Sequence, residues 1–81
     1  MKTVVQLFAA ARELAGTSTL EIELPANANV ARLRKALIAA CPALTALAPH
    51  LLFAVNTSYA TDATLLSSGD EIACFPPTSG G

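Results

Sequence analysis

Thr19-Leu20-Glu21-Ile22-Glu23-Leu24-Pro25, followed across Ala26-Asn27-Ala28-Asn29 by Val30-Ala31-Arg32-Leu33-Arg34-Lys35-Ala36-Leu37-Ile38-Ala39-Ala40-Cys41-Pro42, decides the fold. The first half alternates polar and apolar without a break. That places Leu20, Ile22 and Leu24 on one face of a half-buried strand, which Pro25 closes. In the second half the period changes. Val30, Leu33, Leu37, Ile38 and Cys41 recur at helical spacing, while Arg32, Arg34 and Lys35 fall on other faces and read as a solvated surface. Asn29 is suited to cap the helix start, and Pro42 ends it by pushing Cys41 out of the α region. A strand therefore leads into one substantial helix over 30–41.

Working outward, residues 3–8 are rich in β-branched and aromatic side chains and predict a strand. Residues 9–15 are helix formers ending at Gly16, where a C-cap glycine belongs. So short a connection predicts antiparallel pairing of the first two strands. On the C-terminal side, 42–50 predicts an irregular turn or short helix, and 51–55 a third strand. Asn56-Thr57-Ser58 reads as a turn, Tyr59-Ala60 as the start of a short return, and Ser67-Ser68-Gly69-Asp70 as a second turn. Residues 71–75 form the last strand, ended by Pro76-Pro77. The order β-(α)-β-α-β-β-β predicts an α+β roll, a mixed sheet packed on one main helix. Leu20, Ile22, Leu33, Leu37 and Ile72 are expected to share one core.

Composition narrows the function. The chain has 81 residues, enough for one domain, and a chain of this size buries only roughly 60–65% of the surface its unfolded form exposes. Its 53% apolar content supports a globular core, though much of it is alanine. The formal net charge is −1 and there are five Lys and Arg in all, which argues against a nucleic-acid partner. The apolar start is too short and too soon interrupted for a signal peptide, and no run approaches a membrane span. Two cysteines, Cys41 and Cys74, form no CxxC pair and read as small buried side chains in a reducing, cytoplasmic setting. His50 has no Cys or acidic neighbour in sequence and reads as a surface or hydrogen-bonded histidine. Asp70-Glu71 reads as turn chemistry. Nothing here equips the chain to catalyse a reaction with its own side chains, and no metal site is expected.

The end of the chain, Pro76-Pro77-Thr78-Ser79-Gly80-Gly81, is more informative. Two prolines stiffen its base, and two glycines without Cβ permit close backbone approach. Domain organisation is expected to be a body over 1–77 and a flexible tail over 78–81. Taken with Phe8-Ala9, Arg12-Glu13-Leu14, Gly16, Ala54-Val55-Asn56, Leu66 and Gly69-Asp70-Glu71 in order, this ending resembles the MoaD family, the small subunits of molybdopterin synthase. Thr78 stands where that family more often has valine.

The resemblance implies a ubiquitin-like β-grasp fold and a sulfur-carrier mechanism. An E1-like adenylyltransferase (MoeB-like) would use ATP to adenylate the carboxylate of Gly81. A sulfur donor, such as a cysteine desulfurase or rhodanese, would then convert it to a thiocarboxylate. No cofactor would be held permanently. The tail, Thr78, Ser79 and Gly80, would enter the large subunit (MoaE-like) of a heterotetrameric synthase, where the sulfur passes to cyclic pyranopterin monophosphate. Phe8, Arg12, Tyr59, Phe75, Pro76 and Pro77 are the candidate docking residues, the three aromatics being either interface or core. Alternatives on the same chemistry are a carrier for thiamine or tRNA thiolation and a ubiquitin-like protein modifier; a plain interaction domain is the further possibility.

Overall fold

A computed structural model describes residues 1–77 of the chain. Strand β1 (Lys2–Leu7) leads through Phe8 into helix α1 (Ala9–Ala15), and strand β2 (Thr19–Glu23) into helix α2 (Val30–Ala40). Two short 3-10 turns follow, Pro42–Leu44 and Ala48–His50, and then β3 (Leu52–Val55), β4 (Ser58–Ala60) and β5 (Ile72–Phe75). The expected element order holds, with boundaries moved by a single residue at several ends. The sheet runs β2-β1-β5-β3-β4; β1 and β5 are parallel and the other neighbours antiparallel.

Local chemistry explains the boundaries. Gly16 sits at φ 74°, the left-handed cap conformation, and its N–H donates to the Arg12 carbonyl at 2.9 Å. Asn29 caps α2 as expected, its side chain accepting from the Arg32 N–H at 2.9 Å. The Cys41 N–H still reaches the Leu37 carbonyl at 2.8 Å before Pro42 stops the helix. Asn56 and Thr57 both have positive φ, 51° and 69°, making the two-residue hairpin turn whose twist suits antiparallel strands.

The core lies between the sheet and α2. Val5, Leu7, Ile22, Leu33, Leu37, Phe53, Ile72 and Cys74 are all buried in it, and Leu20 packs against it half-buried. The predicted core is therefore one cluster, with Leu20 at its margin because β2 is an edge strand. Each fully buried aliphatic side chain contributes about 1.5–3 kcal/mol, a large share of so small a domain's stability.

Arg34 corrects the sequence reading. It was expected on the solvated face of α2 with Arg32 and Lys35, but its side chain is only 21% exposed. Its guanidinium donates to the carbonyls of Ala48 at 2.6 Å and Leu51 at 2.7 Å and pairs with Asp62 at 2.7 Å. It also stands 5.0 Å from the centroid of the buried Phe53 ring. The 48–51 segment folds back over α2 and needs a donor for two carbonyls of buried residues; the rigid fork of an arginine supplies both. Arg32 and Lys35 are exposed as expected.

The turn reading of Asp70 holds. Its carboxylate accepts from the Ser67 N–H at 2.8 Å and from the Asn56 side-chain amide at 2.9 Å. Those two bonds, the Ser67 one foremost, hold its pKa below the usual aspartate value. Asn56 in turn accepts from the Glu71 N–H at 2.9 Å, stitching the β3–β4 turn to the start of β5. His50 is exposed at the end of the second 3-10 turn. Both cysteines are free thiols: Cys74 is buried, whereas Cys41 at the end of α2 is half-buried rather than sealed in.

Candidate docking face and tail base

Parallel pairing of β1 with β5 decides where the chain leaves the sheet. Leu7 lies beside Cys74, and the Phe8 N–H donates to the Cys74 carbonyl at 3.1 Å. Both strands thus finish at the same end of the domain, and Pro76 and Pro77 continue from there beside Phe8. Thr78, Ser79, Gly80 and Gly81, the residues assigned to insertion and reaction, lie outside the described residues.

Alternation along β5 then builds a face. Ile72 and Cys74 point into the core, so Ala73 and Phe75 point outward. The register places Gln6, Ala73, Ala54 and Tyr59 in one row across four strands, and Leu52 directly opposite Phe75. Continuing the β1–β5 register by one residue sets Phe8 next to Phe75 on the same face. Tyr59 and Phe75 meet edge to face, with centroids 5.9 Å apart and planes at 65°. Phe8 is 44% exposed, Leu52 42% and Tyr59 83%. Phe75 is half-buried, partly under Tyr59, and Pro76 is half-buried with Pro77 exposed.

None of the three candidate aromatics is a core side chain. Among the described residues the core aromatic is Phe53, which alternation sends to the other face of β3. An exposed, largely apolar patch at the foot of the tail is the kind of surface that a partner covers. Arg12 is exposed on α1 and lines a recess of about 170 Å³ with Gln6, Leu7, Phe8, Ser18 and Thr19 at the same end of the sheet. It offers a cation at the rim of the apolar patch.

Sequence reasoning missed Leu52, Ala54 and Ala73, which complete the face. The signal lay in the strand parity of 52 and 54 and of 73 and 75, but it needed the register to show that these strands are neighbours. The backbone beside the patch is also unusual: Ala9, immediately after Phe8, has φ 52°. An alanine there carries strain that a glycine would not.

The side chains in and under this face are poor chemical actors. Burial pushes the Cys74 thiol up to about 12, against a smaller opposing pull from the charge of Arg34, so it stays protonated at neutral pH. Among the described residues no group of three His, Cys, Asp or Glu converges as a metal site would require. No helix among them is long and apolar enough to cross a membrane. What the arrangement offers is a partly exposed apolar platform with Pro76 and Pro77 at its border.

Known proteins share this sequence and arrangement. The molybdopterin synthase sulfur carrier subunit of Chlamydomonas reinhardtii is 40% identical, over the full length of both chains. Its Arabidopsis thaliana counterpart is 35% identical over 95% of this chain and 80% of its own. The crystal structure of SAMP1 from Haloferax volcanii superposes with a TM-score of 0.87 at 31% identity, covering all of both chains. The mixed sheet wrapped on α2 is accordingly the β-grasp, ubiquitin-like fold. The ThiS family profile matches residues 5–81, nearly the whole sequence and inclusive of both glycines at its end. The chain belongs to the ThiS family.

Proposed function

We propose that this chain is the sulfur carrier subunit of a molybdopterin synthase, with the carboxylate of Gly81 as the group that is activated and loaded. A terminal carboxylate has a pKa near 3.3–3.7, so at neutral pH it is an anion and resists nucleophilic attack. Attack of that carboxylate on the α-phosphorus of ATP, held by an E1-like enzyme, releases pyrophosphate and leaves an acyl adenylate. A persulfide then displaces AMP, and reduction of the resulting acyl disulfide by a second thiol frees the thiocarboxylate. Its sulfur is the nucleophile delivered to cyclic pyranopterin monophosphate inside the large subunit. The carrier contributes position, not side-chain chemistry.

The observation that carries this reading is 35–40% identity to two sulfur carrier subunits over 95–100% of this chain, together with a family match that extends through Gly80-Gly81. The geometry agrees with it. Phe8, Leu52, Tyr59 and Phe75 form an apolar platform beside Pro76-Pro77, so one partner can grip the body and receive the tail. Four residues beyond Pro77 span up to roughly 13–14 Å when extended, sufficient to enter a partner's cleft.

A second reading has its own support. SAMP1, the small archaeal modifier protein 1, shares the fold at full coverage, and the same acyl adenylate could acylate lysines instead of accepting sulfur. One experiment separates them. The protein is incubated with an E1-like activating enzyme, ATP and a persulfide donor, and its intact mass is measured. Replacement of one oxygen by sulfur supports the carrier reading, whereas a ladder of lysine conjugates supports the modifier. Unchanged mass with a competent activating enzyme defeats both.

A further inference from the structure

The sheet's β2 edge offers a second surface, away from Pro76 and Pro77. β2 is the terminal strand and pairs only with β1, so the outer row of its N–H and C=O groups has no partner strand. Below that edge, α2 presents only Ala36, Ala39 and Ala40. Side chains that stop at Cβ cannot span the space between helix and edge, and a groove of about 350 Å³ remains, lined by those alanines with Glu21, Ile22 and Glu23.

The groove's charge selects its occupant. Glu21 and Glu23, both exposed, are the only charged residues that line it. Glu21 makes a loose 3.9 Å pair with Lys2, both side chains about two-thirds exposed, a contact that water screens and a competing cation can displace. Among the described residues Glu23 pairs with no cation. A second copy adding its own β2 here would set glutamates against glutamates, which disfavours self-pairing. Strand alternation puts Glu21 and Glu23 on the face of β2 opposite Ile22, so an extended strand that alternates apolar residues with Lys or Arg meets both features at once. Its backbone satisfies the free edge, its apolar side chains fill the alanine-walled groove, and its cations face Glu21 and Glu23.

We infer that the β2–α2 groove is a docking site for an extended segment of a partner protein that alternates apolar and basic residues, bound by strand addition to β2. The site is independent of the tail chemistry. In the β1–β2 register Lys2 lies opposite Glu23 and Gln6 opposite Thr19, so Glu21 and Glu23 lie toward the end of the sheet away from Phe8 and Pro76. A segment held there leaves the aromatic face and the tail uncovered, so a tethered partner need not compete with one gripping that face.

The test uses the full chain, labelled with nitrogen-15 and titrated with a blocked peptide of sequence KVKVKV, whose lysines share one face and valines the other. Expected are amide shifts confined to residues 19–23 and 36–40, with affinity that falls as salt rises. Glu21→Lys combined with Glu23→Lys should weaken binding by about tenfold or more, roughly 1.4 kcal/mol. Ala39→Arg, at an exposed position, should abolish it by filling and charging the groove while the rest of the spectrum stays native. Shifts centred on Phe8, Tyr59 and Phe75, binding indifferent to the charge reversal, or no shifts at millimolar peptide would each overturn the inference. Concentration-dependent shifts at 19–23 without peptide would overturn it too, in favour of a second copy.

Discussion

Replacing Arg34 with methionine keeps an unbranched apolar stem and removes only the guanidinium, so its cost measures what that fork holds together. The two carbonyls it serves belong to Ala48 and Leu51, both buried residues, at 2.6 and 2.7 Å. Leaving such an acceptor without its charged donor costs about 1–3 kcal/mol each. The pair with Asp62, whose side chain is 61% exposed, adds at most about 1 kcal/mol, and the contact with the Phe53 ring about 0.5–1 kcal/mol. Taking the low end of each, because the 48–51 segment can partly rehydrate, gives a loss of about 2.5 kcal/mol. In a domain this small that lowers Tm by about 10–20 °C. Urea and thermal denaturation followed by circular dichroism measure it. Arg32→Met on the exposed face of the same helix should cost less than about 0.5 kcal/mol, and Asp62→Ala no more than about 1 kcal/mol. A loss below about 1 kcal/mol for Arg34→Met, or equal losses for the two arginines, would refute the assignment of Arg34 as the clasp.

Phe75→Ala together with Tyr59→Ala should weaken the complex with the large subunit by about 2 kcal/mol or more, roughly thirtyfold in Kd by titration calorimetry. The free domain should lose much less, since both rings are at least partly exposed; equal destabilisation would make them structural. Ala9→Gly should stabilise the fold by about 1 kcal/mol in urea titrations, because φ 52° suits glycine. Asp70 gives a pH dependence of known sign. Its folded pKa lies below the reference 3.8, so its contribution is fully present above that value and is lost as pH falls through the depressed folded pKa. Asp70→Asn should therefore narrow the gap in Tm between pH 6 and pH 2; an unchanged gap would contradict the Ser67 and Asn56 bonds as its cause.

How far the sequence reached depended on whether each interaction was local. The alternation through Leu20, Ile22 and Leu24 and the helical spacing from Val30 to Leu37 carry their burial in their own period, and the structure has both. The Ser67–Asp70 bond and the Asn29 cap are likewise interactions within three residues. Arg34 was not legible because its partners lie 14, 17 and 28 positions away, and no helical period shows that the 48–51 segment folds back. The docking face was half legible. Phe8, Tyr59 and Phe75 were identifiable as large aromatics, but their exposure follows from sheet register, which puts β5 between β1 and β3. The β2–α2 groove was invisible for the same reason: Ala36, Ala39 and Ala40 become a wall only once an edge strand runs above them.

The central claim is that sulfur is carried on the carboxylate of Gly81 and on no side chain. Fragmentation of the loaded protein by tandem mass spectrometry tests it most directly. The account predicts that the oxygen-to-sulfur substitution resides on the C-terminal residue. It also predicts that deletion of Gly81, or extension by one residue, abolishes loading while Tm stays unchanged, and that loading survives Cys41→Ser with Cys74→Ser in whatever protein remains folded. Sulfur located on Cys41 or Cys74, or full loading of the tail-extended protein, would contradict it.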